Sequence, residues 1–162
     1  MGEASREIMR QARKQVEEWT PARVNETLAE QHEAGSNGQD IVLVDVREKH
    51  EWNEGHIPGA IHVPRGFLEL QIEEAVPDKS KTVVLYCAGG VRSLMAGQTL
   101  KQMGYENPIS MSGGFGQWKG SGLPFVLPRT LTRRRANATA AICWCQRWAS
   151  RASSNCSTRR CC

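Results

Sequence analysis

A short apolar strand followed directly by a glycine-rich turn and a helix is the feature that most constrains the fold. Thr82–Tyr86 has the composition of the strand, and Leu94–Met103 that of the helix. The turn between them is Cys87-Ala88-Gly89-Gly90-Val91-Arg92-Ser93. At this place loop N–H groups and a helix N-terminus converge, and both stabilise an anion. The pattern therefore predicts that Cys87 is a thiolate nucleophile.

A buried, inert cysteine at the end of a core strand is the alternative interpretation. Two glycines and Arg92 argue against it, since glycine lets a loop turn its amides inward and arginine adds a positive charge. The loop itself contains no acidic residue. The nucleophile is therefore the favoured interpretation.

Further apolar runs and helical periodicities extend the same pattern along the chain. Strands are predicted at Ile41–Val44, Ala60–Val63, Thr82–Tyr86 and Pro108–Met111. Helices are predicted at Ser5–Trp19, after Thr20-Pro21 as N-cap and first helical position, at Phe67–Ala75 and at Ser93–Met103. Alternating strands and helices indicate an α/β fold with a parallel sheet covered on both faces. Ligands of such sheets bind beyond the carboxyl ends of the strands, where Cys87 lies.

The net charge of +4 averages two unlike parts of the chain. Residues 129–162 contain eight arginines and no acid, which leaves 13 basic and 17 acidic residues in 1–128. Cys87 is the single cysteine before residue 129. A lone cysteine in an acidic domain is typical of a reducing compartment. No run approaches the roughly 20 apolar residues of a membrane span, and the charged N-terminus lacks a signal-peptide core, so a cytoplasmic protein is expected.

Three sequence segments carry a family resemblance. The first segment contains Val44-Asp45-Val46-Arg47-Glu48, Glu51-Trp52 and Gly55–Pro64. The second segment is the Cys87 turn. The third segment contains Gly113–Trp118 and Gly122-Leu123-Pro124. In this order the segments resemble the single-domain rhodaneses, a sulfurtransferase family. The resemblance covers about residues 20–127 and implies a rhodanese-like open five-stranded parallel sheet with helices on both faces.

The resemblance also implies roles for individual residues. Cys87 would be the catalytic cysteine, and the substrate-binding loop would comprise Ala88, Gly89, Gly90, Val91, Arg92 and Ser93. Asp45 and Arg47 match an Asp-x-Arg signature and are interpreted as a charged network that fixes a strand end. Arg65 follows a strand end and is a candidate for the pocket. Packing roles are expected for Trp52, His56, His62 and Trp118.

The implied chemistry is covalent catalysis through a Cys87 persulfide, without a metal or cofactor. The donor would be thiosulfate or another persulfide, and a cysteine desulfurase is an equally plausible source. The sequence does not name the acceptor; a sulfur-carrier protein is one candidate, and neither nucleic acid nor a membrane is an expected partner.

Two other function classes remain open at this point. Cysteine phosphatases place five residues between cysteine and arginine, whereas four stand between Cys87 and Arg92, which predicts a smaller cradle suited to sulfur. Other rhodanese-like domains have lost the cysteine and serve as binding or regulatory modules. The presence of Cys87 argues against that second class.

These patterns predict three parts: an N-terminal helix over 1–19, a rhodanese domain over 20–128 and a basic tail over 129–162. A nucleic-acid arm and a metal site at Cys143 and Cys145 are alternatives for the tail, but the arginines are scattered and the cysteine spacing matches no zinc pattern. Sequence rich in arginine, alanine, serine and cysteine without acids is typical of GC-rich DNA read out of frame.

A frameshift offers a specific origin for this tail. Permissible codons for Arg133–Cys162, read two bases later, can spell a segment containing ERYSRHLLVPEVG. That segment resembles the start of the adenylyltransferases that activate sulfur-carrier proteins in cofactor biosynthesis. The hypothesis predicts a disordered tail without a site, and a shifted open reading frame in the gene.

Overall fold

The computed structural model of the chain describes residues 2–34 and 41–127. The chain divides into two units, Met1–Pro128 and Arg129–Cys162. The basic tail, with the nucleic-acid arm, the metal site and the disorder considered for it, and the turn at Gly35–Gly38 lie outside the described residues. The frameshift origin and the disorder of the tail therefore stay predictions.

Five strands form one parallel sheet in the order β1-β5-β4-β2-β3. The strands are β1 (Glu17–Trp19), β2 (Ile41–Asp45), β3 (Ile61–His62), β4 (Thr82–Tyr86) and β5 (Asn107–Met111). The longest register joins β2 to β4 from Ile41 opposite Thr82 to Asp45 opposite Tyr86. The predicted α/β fold with an open five-stranded parallel sheet is confirmed.

The helices that connect these strands are α1 (Glu3–Gln15), α2 (Pro21–Ala34), α3 (Lys49–Asn53), α4 (Leu68–Ala75), α5 (Val91–Gln102) and α6 (Gly114–Gly120). A 3-10 turn, Arg65–Phe67, directly precedes α4. Thr20 caps α2 as predicted, because its Oγ1 accepts the N–H of Arg23 at 3.4 Å. Among the described residues, no helix has both the length and the apolar character needed to cross a bilayer.

The edge strand β1 corrects the prediction of one helix over Ser5–Trp19. The helix ends at Gln15, Val16 is extended, and the next three residues pair with β5. Val16 and Trp19 are three apart and buried, which imitates a helical period. Pairing with the open edge of β5 supplies backbone hydrogen bonds that a frayed helix end would lack, so tertiary contact decides this segment.

The sheet separates two apolar layers. Val83 and Leu85 of β4 face one layer, which also contains Leu68, Ile72, Ala96 and Leu100 of α4 and α5. Val84 and Tyr86 face the other layer, with Val24 of α2 and Phe115 and Trp118 of α6. Burial on both faces explains the continuous apolar runs of the central strands. It also brings the carboxyl ends of β2, β4 and β5 together at one edge.

Candidate active site

Cys87 lies directly after β4, at the carboxyl edge of the sheet. Its side chain is only 1% exposed, whereas Ala88 and Gly89, which follow it, are exposed. The sulfur therefore sits at the bottom of the loop, shielded from bulk water on most sides. Desolvation of this kind strengthens every electrostatic contact made to the sulfur.

Groups of the loop and of α5 contact the sulfur directly. The N–H of Gly90 donates to Cys87 Sγ at 3.1 Å, and Ser93 Oγ lies 3.7 Å from the same sulfur. Ser93 Oγ also donates to the carbonyl of Gly90 at 3.0 Å and lies 2.9 Å from Ser110 Oγ on β5. These contacts orient the sulfur from within the loop and from the sheet beneath it.

Gly90 is the residue that makes the turn feasible. Its φ of 92° lies in the left-handed region, and a Cβ there would stand 3.1 Å from the backbone nitrogen of Gly113. Gly90 is also the N-cap of α5. The first N–H groups of a helix have no intrahelical acceptor, so α5 directs N–H groups and its positive dipole end toward the loop.

The start of α6 holds the other side of the loop. Phe115 N–H donates to the carbonyl of Cys87 at 2.7 Å, and Gly116 N–H donates to that of Ala88 at 3.0 Å. In a trans peptide the C=O and the N–H point in opposite directions. The N–H groups of Ala88 and Gly89 therefore point away from α6 and are available to an anion.

The hydrogen bonds from Phe115 and Gly116 to the loop act as a clamp, and replacing Gly114 by alanine should disturb it. Gly114 has a φ of 55°, and an added Cβ would collide with the carbonyl oxygen of Cys87 and lie 2.8 Å from the carbonyl carbon of Ala88. We expect Gly114→Ala to lower the free energy of unfolding by about 2 kcal/mol or more, since both strain and displacement contribute. Chemical denaturation measures this loss.

Gly120→Ala is the matched control, because a Cβ at Gly120 meets nothing within 4 Å and its φ is ordinary. Its stability should equal or slightly exceed that of the wild type. An equal loss in both variants would contradict the clamp.

Arg92 does not stand free above the loop. Its Nη1 donates to Glu51 Oε2 at 2.7 Å and its Nη2 to Glu51 Oε1 at 2.8 Å, which is a bidentate pair between α5 and α3. The hydrogen bond to Glu51, together with the charges of Glu51 and Cys87, raises the pKa of the Arg92 guanidinium. Arg92 thus links the loop to α3 while it remains electrostatically coupled to Cys87.

Glu51 is the functional neighbour that sequence reasoning missed. It is held in place by a capping box, in which its Oε2 accepts the N–H of Glu48 at 3.1 Å. The spacing of Glu48 and Glu51 signals the cap. No local pattern signals that Glu51 pairs with Arg92, 41 residues further along the chain.

The Glu51–Arg92 pair makes stability depend on pH. The hydrogen bond from Arg92 lowers the pKa of Glu51 from 4.5 to about 2. A lowered pKa stabilises the fold above the ordinary value, and this contribution is lost as the pH falls from 4.5 toward 2. The Arg92 side chain is 37% exposed, so solvent screens the pair. We therefore expect the pair to contribute about 1 kcal/mol to the free energy of unfolding at neutral pH.

Chemical denaturation of the wild type and Glu51→Gln checks this value. The difference between their free energies of unfolding should be present at pH 7 and vanish as the pH approaches 2. A difference that is independent of pH would show that the charge is not involved.

Asp45 and Arg47 form a buried ion pair at the end of β2. Arg47 Nη2 donates to Asp45 Oδ2 at 2.6 Å and to the carbonyl of Gly55 at 2.7 Å, and the two side chains are 4% and 0% exposed. The guanidinium carbon lies 4.1 Å from the ring centroid of Phe115. Burial opposes the charge on Arg47, but the hydrogen bonds and charge of Asp45 outweigh it and raise the pKa of the guanidinium.

Arg65 is directed away from the sulfur. Its Nη1 donates to Glu69 Oε1 at 2.7 Å and its Nη2 to Thr99 Oγ1 at 3.1 Å. Thr99 lies eight residues after the start of α5, about 12 Å along the helix. The structure thus places Arg65 against the side of α5 rather than with the groups that contact Cys87.

The aromatic and histidine side chains of the signature segments make packing contacts. Trp52 stacks on His56 with ring centroids 3.6 Å apart, and His62 Nε2 lies 2.9 Å from the carbonyl oxygen of Arg47. Trp118 is buried and donates its Nε1–H to the carbonyl of Pro124 at 2.8 Å. In the described part of the chain, no group of three or more His, Cys, Asp or Glu side chains could hold a metal ion.

A family model described as the rhodanese-like domain matches residues 28–121, more than half of the chain. The match includes β2, the whole Cys87 loop and α6. This chain belongs to the rhodanese-like domain family. The predicted family resemblance is therefore confirmed.

Curated relatives of this rhodanese agree with the family match. A sulfurtransferase from Allochromatium vinosum is 38% identical over 90 residues, which cover 56% of this chain and 82% of the relative. A thiosulfate sulfurtransferase from Coxiella burnetii is 38% identical over 81 residues, which cover 50% of this chain and 74% of the relative.

A solved structure from Rhodopseudomonas palustris shares the fold of this rhodanese. It is 30% identical, has a TM-score of 0.65, and the alignment covers 78% of this chain and 96% of that one. It is described as a protein of unknown function and possible tyrosine phosphatase.

Proposed function

We propose that this chain is a rhodanese-type sulfurtransferase that carries sulfur as a persulfide on Cys87. The observation that supports this most strongly is the site itself. The sulfur of Cys87 is buried, accepts the N–H of Gly90 and lies at the N-terminus of α5. The relatives named sulfurtransferase and thiosulfate sulfurtransferase add independent support.

The first half of the reaction loads the cysteine. The Cys87 thiolate attacks the outer sulfur of the donor, a new S–S bond forms, and the bond from that sulfur to the rest of the donor breaks. With thiosulfate the electron pair leaves with sulfite; with a persulfide it leaves with a thiolate. Cys87 is oxidised to the persulfide level and the donor is reduced, so no outside oxidant is required.

The loop amides stabilise the product of this step. The terminal persulfide sulfur is an anion, and the N–H groups of Ala88 and Gly89 and the N-terminus of α5 are the donors that can bind it. In the second half of the reaction an acceptor nucleophile takes this sulfur and releases the Cys87 thiolate. We propose a sulfur-carrier protein as the acceptor and a cysteine desulfurase as an alternative donor, in the context of cofactor biosynthesis and in the cytoplasm.

Intact-mass spectrometry of the full chain after treatment with thiosulfate tests the proposal. We expect a gain of one sulfur, about 32 Da, that cyanide removes again. Peptide mapping should place this sulfur on the peptide that contains Cys87 rather than on the five cysteines of residues 129–162. Sulfur found solely on those other cysteines would overturn the proposal.

The phosphatase alternative rests on the description of the Rhodopseudomonas palustris neighbour. It predicts hydrolysis of aryl phosphates, with inhibition by vanadate. Because four residues separate Cys87 from Arg92 and Arg92 is bound to Glu51, we expect no such hydrolysis. Turnover of an aryl phosphate that is lost in Cys87→Ser would favour the phosphatase instead.

A further inference from the structure

Arg92 is the cation of the active loop, and both of its terminal nitrogens are already engaged. The distances to Glu51 are 2.7 and 2.8 Å, in the parallel geometry in which a guanidinium binds a carboxylate most strongly. Three N–H groups of the guanidinium remain, but an anionic donor that approaches them meets a cation whose positive charge the Glu51 carboxylate already offsets.

Glu51 is not free to leave this position. The capping box of α3 fixes it, because Glu48 N–H donates to the same Oε2 that Arg92 binds, and the Glu51 side chain is 20% exposed. The carboxyl pKa of about 2 keeps it ionised at neutral pH. The Glu51–Arg92 ion pair is therefore formed in the free site at neutral pH.

The charges around the sulfur then favour some donors over others. A Cys87 thiolate and the Glu51 carboxylate are two negative charges against the single positive charge of Arg92. A dianion such as thiosulfate adds two more negative charges, whereas an alkyl persulfide adds one at most. The loop amides are left to offset the remainder.

We propose that Glu51 determines donor specificity, disfavouring dianionic donors by holding Arg92 and so selecting persulfides of low charge. This inference rests on the proposed sulfurtransferase function and names its preferred donor class. In the preferred step the Cys87 sulfur bonds to the outer sulfur of R–S–SH, the internal S–S bond breaks, and R–S⁻ leaves with the electron pair. The proton passes from the transferred sulfur to R–S⁻, which leaves as R–SH, and Cys87 then carries the anionic persulfide.

Steady-state kinetics of the full chain with two donors, thiosulfate and a hydropersulfide whose alkyl group carries no charge, test the inference. Glu51→Gln keeps an amide oxygen for the N–H of Glu48 but removes the charge. We expect its KM for thiosulfate to fall about tenfold, the effect of one charge interaction of about one pKa unit. The KM for the alkyl persulfide should change less than twofold.

Glu54→Gln is the matched control, since Glu54 ends the same helix and is exposed. It removes an equal charge and should alter neither KM. On the unmodified chain, rising ionic strength should lower the KM for thiosulfate alone, because salt screens the repulsion. A KM for thiosulfate that does not respond to salt overturns the inference even if the Glu51 variant fails to fold.

The outcomes separate the two proposals. If the wild type takes sulfur from neither donor, the proposed function fails. If it takes sulfur from both, but the ratio of the two KM values is the same in Glu51→Gln and insensitive to salt, the specificity inference alone is overturned.

Discussion

Cys87→Ser abolishes sulfur transfer: we expect turnover with thiosulfate to fall by about 10⁴-fold or more. A serine hydroxyl cannot form the S–S bond of the persulfide, and loss of a covalent nucleophile removes the reaction path rather than weakening one contact. The cyanide assay for thiocyanate measures the rate, and intact mass shows whether any sulfur is loaded. The fold should survive, because serine is similar in shape and retains an atom that can accept the N–H of Gly90.

Ser93→Ala is the matched comparison for that loss. It removes the hydroxyl 3.7 Å from the sulfur while the thiol and the loop glycines remain. One neutral hydrogen bond contributes about 1 kcal/mol, so we expect a rate loss of about fivefold. If Cys87→Ser retained as much activity as Ser93→Ala, the cysteines of residues 129–162 would be the sulfur carriers instead.

Loss of one partner of the buried Asp45–Arg47 pair is expected to produce the largest change in stability. Asp45→Ala leaves a buried guanidinium that keeps the carbonyl of Gly55 but has lost its carboxylate partner. Breaking such a pair from one side costs about 3–5 kcal/mol, because the remaining charge is desolvated without compensation. Chemical denaturation at neutral pH, read by tryptophan fluorescence, measures this change.

The double variant Asp45→Leu with Arg47→Met is the control for that interpretation. It removes both charges and fills a similar volume, so we expect it to lose less stability than Asp45→Ala. If the free energy of unfolding of Asp45→Ala lay within about 1 kcal/mol of the wild-type value, water would reach the pair and screen it.

Local patterns were sufficient for most of the sheet. Thr82–Tyr86 was predicted with the bounds that β4 has in the structure, and the Ile41 and Pro108 runs differ from β2 and β5 by one residue at an end. Central strands are buried on both faces, and their apolar runs are therefore continuous and easy to recognise. Helix α5 was also expected, although it begins at Val91 rather than Ser93.

Elements at the edges of the fold were less visible. Strand β1 was interpreted as the end of a helix, since two acidic residues beside a buried Trp19 carry no strand signal. The short helix α3 consists of polar residues and Trp52, with no buried side chain to set a period. In both segments partners distant in the chain determine the structure, and a local window contains no information about them.

The sequence by itself determined the family, the alternation of the central strands with helices and the position of Cys87 in a glycine turn between a strand and a helix. These depend on composition and spacing within a few residues. Only the tertiary structure decided which groups surround that cysteine: Ser110 from β5, the amides of α6, and Glu51, which binds Arg92. Such contacts arise where the carboxyl ends of separate strands meet in space, and no periodicity along the chain encodes a pairing of that kind.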